Sequence, residues 1–142
     1  MNNYPMEFAC KSTSASGINS LWVCSTDQNE TKLSIPPEFS GPGGGLSPED
    51  LFNKALLNCF LATFKVYAEM SKLNYEKIEA ASNLIVDLDE NKKPIMKALN
   101  AKVTIFNPSD ASKAQLLANK AAKSGFILNS VKTQCSFEIK IV

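Results

Sequence analysis

Arginine and histidine are both absent from this 142-residue chain, so all fifteen of its basic side chains are lysines. Without imidazole there is no Ser-His nucleophile, no His general base and no His-ligated metal. Without guanidinium, no planar fork can hold a carboxylate or phosphate at two points. Fourteen acidic residues offset the lysines to a net charge of +1, and no basic block stands anywhere. That excludes the electrostatic footprint of a nucleic-acid binder. Long apolar runs are missing too. The longest, Ala55 to Ala68, is broken by Asn58 and Lys65 and is too short to cross a bilayer. Met1 to Lys11 lacks a basic stretch followed by an apolar one. No secretory leader is therefore expected, and the setting reads as cytoplasmic with reduced thiols.

What is present is ordinary for a globular chain. A hydrophobic share of 44%, with 20% charged residues, six Gly and seven Pro, argues against disorder and against collagen-like or coiled-coil architecture. The length suits one domain with a real core, and residues 1–142 read as a single domain. The four cysteines, Cys10, Cys24, Cys59 and Cys135, include no C-x-x-C pair. Neither a zinc ribbon nor a thioredoxin-type motif is written here, and no metal or cofactor is expected.

The first third reads as strands at Met6–Ser12, Leu21–Ser25 and Thr31–Ile35, separated by Ser/Gly and Asp/Asn turn clusters. Pro36-Pro37 and the glycine cluster Gly41 to Gly45 end that region. Ser47 then reads as an N-cap, with Pro48 at the first helical position and Asp50 completing a weak capping box. From Pro48 to about Leu73 the apolar residues recur at helical spacing, and Leu57, Leu61 and Val66 widen the stripe. A helix so apolar around its girth should be central and nearly buried. Strand-like runs follow at Lys77–Asp89 and Met96–Phe106, and Ser109 opens a second helix that runs to Ser124 and stops at Gly125. Thr133–Val142 alternates apolar and polar residues, as a strand buried on one face does. The order βββ-α-ββ-α-β defines an α+β fold with no internal repeat.

Each chemical candidate has a structural reading beside it. The glycine cluster lacks the Lys-Ser/Thr of a phosphate loop and fits a tight turn before a capped helix. Cys59 lies on the apolar stripe of the first helix, where a cysteine serves either as inert packing or as a nucleophile. Glu49, in the first turn, either complements the helix dipole or is a buried acid set against a thiol or a cation. Cys10 and Cys24 fall on neighbouring expected strands and could face one another. Cys135 alternates with core residues, which favours packing.

Taken together, Ile35-Pro36-Pro37-Glu38-Phe39, the glycine turn, Ser47-Pro48-Glu49-Asp50-Leu51-Phe52 and Ala55-Leu56-Leu57-Asn58-Cys59-Phe60 resemble the OsmC/Ohr family. The resemblance implies an intertwined homodimer with the Cys-bearing helices central. It also implies a stress-response context and a thiol peroxidase that reduces organic hydroperoxides through a sulfenic acid, with a thiol reductant regenerating the enzyme. By motif, Cys59 matches the peroxidatic cysteine and Glu49 the acid that orients an Arg beside it. The family Arg, from about Ser12 to Gly17, has no counterpart here, and Gly125 aligns with the resolving cysteine. Without a guanidinium, an apolar setting disfavours a thiolate, so slow, one-Cys chemistry is expected. The alternative is a non-enzymatic homodimer whose interface pocket binds a small apolar ligand. Neither nucleic acid nor membrane is an expected partner.

Overall fold

A computed structural model describes residues 3–142. Its strands are β1 (Lys11–Thr13), β2 (Trp22–Thr26), β3 (Asn29–Leu33), β4 (Lys77–Leu88), β5 (Pro94–Phe106) and β6 (Gln134–Ile141). Helix α1 (Pro48–Met70) follows β3, and α2 (Ala111–Ser124) follows β5. This is the expected βββ-α-ββ-α-β order in an α+β fold, drawn as two three-stranded sheets. The described residues fall into two compact units that divide between Leu51 and Phe52. No helix among the described residues is long and apolar enough to cross a membrane.

In the first unit β1, β2 and β3 form an antiparallel meander. Cys24 lies opposite Ser12 on β1 and Thr31 on β3, while Cys10 precedes β1 and is exposed. The expected strand Met6–Ser12 is therefore shorter, and Cys10 does not face Cys24. The cause is the length of β2, which ends at Thr26 and leaves residues before Lys11 almost nothing to pair with. The glycine cluster folds back onto β3. Leu46 donates its N–H to the Lys32 carbonyl and accepts from the Ser34 N–H, each at 3.0 Å. A Cβ on Gly45 would lie 3.0 Å from the Leu33 carbonyl carbon, so this approach requires glycine. The amides of Gly41, Gly43 and Leu46 are all spent on carbonyls of residues 32–36. No phosphate cradle remains, and the turn reading holds. Ser47 Oγ accepts from the Asp50 N–H at 3.0 Å while Asp50 Oδ2 accepts from the Ser47 N–H at 2.9 Å, a complete capping box.

The second unit carries the main core. β4 and β5 form a long antiparallel hairpin, and β6 returns parallel to β5 as an edge strand. Register sets side chains in rows across the inner face: Leu84–Leu99–Cys135, Ser82–Ala101–Phe137, Ala80–Val103–Ile139 and Ile78–Ile105–Ile141. Over this face α1 lays Leu56, Phe60, Phe64 and Ala68, each four residues on and each buried. Two contacts anchor α1 on one row. Asn53 exchanges hydrogen bonds with Ser82, and the Phe60 ring stacks on Phe137 at 4.6 Å between centroids. From α2, Ala114, Leu117, Ala118 and Ala121 close the core, their small side chains admitting the helix closely.

Three expectations about the helices need correction. The cap of α2 is Asp110, whose Oδ1 accepts from the Lys113 N–H, and not Ser109. Ser109 is committed elsewhere, its N–H and Oγ both bonded to the backbone of Asn74. Helix α1 ends at Met70 rather than Leu73, because Lys72 turns left-handed at φ 54° and the Leu73 N–H reaches back to Ala68. Nor is α1 buried around its girth in a single chain: Val66 is 56% exposed and Met70 76%.

If the two rings hold α1 on the sheet, Phe60→Leu and Phe137→Leu should couple. Urea unfolding of the single and double variants should give an interaction energy of about 0.5–1.5 kcal/mol. Strict additivity would show that the stack contributes nothing beyond burial.

Candidate functional site

The site is built where three elements of the second unit meet. On α1, Cys59, Thr63 and Tyr67 follow one another every four residues, beside the fully buried stripe. All three are half-buried. Thr63 Oγ1 donates back to the Cys59 carbonyl at 2.7 Å. Tyr67 shares a 2.6 Å hydrogen bond with Ser124 Oγ, at the last residue of α2, and Lys120 sits over its ring. One step on, Gly125 comes down onto Cys59 itself. A Cβ on Gly125 would lie 2.6 Å from Cys59 Sγ, 3.2 Å from Leu128 and 3.4 Å from Thr63 Oγ1.

Gly125 was expected as an ordinary helix stop. Its backbone is extended, at φ −66° and ψ 138°, which any residue adopts. Glycine is needed here for space and not for conformation: the backbone after α2 runs directly over the sulfur. Periodicity alone gives no sign of this, because the contact joins residues far apart in the chain.

Cys135 takes the core-facing position that its alternation implies. It faces inward in the first row of β6, two residues before Phe137, and so lies beside the residue on which Phe60 stacks. Thr133 fixes the start of β6 by donating its hydroxyl to the Met96 carbonyl at 2.7 Å, and Cys135 Sγ lies 3.5 Å from the Thr133 carbonyl. Burial pushes the Cys135 thiol above its ordinary range, and the nearby Cys59 adds to the rise. Cys59 and Cys135 both pack against the core of the second unit, while Cys10 and Cys24 lie in the first. All four cysteines are free thiols.

Glu49 stands in the first turn of α1, ten residues before Cys59 on the same helix. That is about 15 Å of helical rise. Its Oε1 is buried and accepts no hydrogen bond among the described residues. The capping of the helix falls to Ser47 and Asp50, so the Glu49 carboxylate is not consumed by it.

A half-buried thiol, capped by a glycine and set beside a second thiol, is a constellation suited to sulfur redox chemistry. Residues 41–140 match the family model described as OsmC-like protein. The chain belongs to the OsmC-like family. An uncharacterized Bacillus subtilis protein, YmaD, is 25% identical over 114 residues, covering 78% of this chain and 76% of its own. An OsmC-like protein of unknown function from Vibrio cholerae has the same fold at a TM-score of 0.84 and 17% identity, with 95% of this chain and 99% of that one covered. The organic hydroperoxide resistance protein OhrB of Bacillus subtilis superposes at a TM-score of 0.67 and 18% identity, with 95% and 98% covered. At those identities the structural likeness establishes the OsmC fold.

Two outcomes follow for this site. Gly125→Ala should destabilise the protein by about 1–2 kcal/mol, since the added methyl meets Cys59 Sγ. In a Cys59→Ala background the same change should become neutral or mildly stabilising, because alanine restricts the unfolded chain. Thermal unfolding of the four proteins checks this, and an unchanged cost in the Cys59→Ala background would show that the sulfur is not the obstacle. For Cys135, alkylation by iodoacetamide should lag behind exposed Cys10 as pH rises. A thiol held protonated by the fold stabilises it below the ordinary thiol range, and that contribution fades as pH climbs through the raised value. Mass spectrometry of labelled peptides across a pH series reads the difference.

Proposed function

We propose that residues 1–142 act as one domain in a homodimer that reduces organic hydroperoxides slowly through Cys59. The observation that carries the reading is the setting of that sulfur: half-buried among Gly125, Leu128 and Thr63, in the helix that carries the family motif. The thiolate would attack the terminal oxygen of R–O–O–H, giving Cys59 sulfenic acid and releasing an alcohol once the alkoxide takes a proton. A thiol reductant would return the sulfenic acid to the thiol, with loss of water.

Support for the dimer comes from α1, whose Val66 and Met70 leave apolar surface exposed in one chain. Glu49 enters through the same assembly. Fifteen ångströms of rise bar it from the Cys59 of its own helix, so it would serve Cys59 only across a two-fold axis, where two α1 helices run past each other. Its unsatisfied Oε1 is a carboxylate oxygen awaiting a donor. In this chain that donor would be a lysine, which supplies charge without a planar two-point hold.

The second reading is a non-enzymatic homodimer holding a small apolar ligand, with Cys59 lining the pocket. Phe126 and Ile127, exposed immediately after Gly125, favour it. Stopped-flow reaction with cumene hydroperoxide separates the two. The peroxidase reading expects consumption that accelerates as pH rises, since only the thiolate attacks, and that disappears in Cys59→Ser. Consumption equal in wild type and Cys59→Ser would leave ligand binding as the function.

A further inference from the structure

The position that aligns with the family's resolving cysteine is glycine in this chain, yet a second thiol stands near Cys59 from another direction. We propose that Cys135, on edge strand β6, is the resolving thiol of this protein and closes a Cys59–Cys135 disulfide. This rests on the reading that Cys59 is oxidised to a sulfenic acid by hydroperoxides.

Two features of the packing converge on the pair. Phe60, the neighbour of Cys59, stacks on Phe137 at 4.6 Å, and Cys135 lies on the same face of β6 two residues earlier. Gly125 closes over Cys59 without a side chain, so nothing from the end of α2 competes for the sulfur. The chain around Cys135 suits the task. β6 is bonded to β5 on one side only, so it can adjust when a bond forms, while the Thr133 hydroxyl on Met96 holds its start in place. Register sets Cys135 against Leu99, whose side chain is fully buried, which excludes competing thiols from that side.

The chemistry balances. In the first step the hydroperoxide takes two electrons from the Cys59 thiolate, the O–O bond breaks, and Cys59 sulfenic acid and an alcohol result. In the second, Cys135 sulfur attacks Cys59 sulfur, the S–O bond breaks, and the departing hydroxide takes the Cys135 proton as water. The product is a disulfide between α1 and β6. An external dithiol restores both thiols with two electrons and is itself oxidised to a disulfide. The resolving sulfur thereby moves from the loop after the second helix into the sheet.

The test uses the full chain and two oxidants. Diamide oxidises neighbouring thiols without any peroxide, so it reads the pairing alone. Wild type should lose two thiols per chain, and peptide mapping under non-reducing conditions should find Cys59 joined to Cys135. Stoichiometric cumene hydroperoxide should give the same disulfide with no dimedone adduct, whereas Cys135→Ser should lose one thiol and carry dimedone on Cys59. Cys24→Ser, in the other unit, should behave as wild type. Diamide leaving Cys59 and Cys135 free, or linking Cys59 to Cys10 or Cys24, overturns the proposal whatever the hydroperoxide does. Equal dimedone labelling of wild type and Cys135→Ser overturns it as well. If diamide links the pair while cumene hydroperoxide leaves Cys59 untouched, the pairing stands and the peroxidase reading fails.

Discussion

The stack of Phe60 on Phe137 decides where Cys59 stands in this molecule. A helix of 23 residues has many ways to lie across a sheet, and its apolar stripe alone does not choose among them. Two contacts on one row of the sheet, Asn53 with Ser82 and Phe60 with Phe137, fix both its placement and its rotation. With the stripe turned inward, Cys59 is rotated about 100° from Phe60 and emerges beside the end of α2. Tyr67 then meets Ser124 and the backbone at Gly125 covers the sulfur. The small residue Ala101 between Ser82 and Phe137 belongs to the same arrangement, since a bulkier side chain there would compete with the ring.

Local signals in this chain were legible, and long-range ones were not. Ser47 and Asp50 cap α1 as their spacing implies, because a capping box is decided within four residues. The inward rows of β5 and β6 follow from alternation, because a pleated strand has period two. Ser109 misled because its hydroxyl is taken by Asn74, 35 residues away, leaving Asp110 to cap α2. Met6–Cys10 has strand-like residues but no strand to pair with, and an unpaired segment is not a sheet. The value of Gly125 was legible only through the family resemblance, which aligns it with the resolving cysteine, and not through any local signal. Its backbone angles are unremarkable, and only the sulfur arriving from α1 explains why a side chain is excluded.

The absence of arginine bears on the site in a way the fold cannot repair. An oriented guanidinium offers positive charge and two parallel donors to a carboxylate, and it sheds water more readily than an ammonium does. Lysine keeps the charge but not the geometry. A thiolate in an apolar setting needs a compensating partner, and a partner that is mobile and strongly hydrated compensates less. On the proposed mechanism, slow reaction at Cys59 would follow from the composition of the chain.

On the proposed mechanism, slow oxidation would change what the second thiol is worth. When the first step is fast, a resolving cysteine mainly sets turnover; when it is slow, its principal effect is protection. A sulfenic acid that waits is open to a further oxidation that ordinary thiols do not reverse. A partner already packed within the core meets that hazard without waiting for a loop to move, and β6 holds Cys135 beside the same aromatic stack that positions Cys59. Burial raises its thiol above the ordinary range, which makes Cys135 a poor competitor for the hydroperoxide itself.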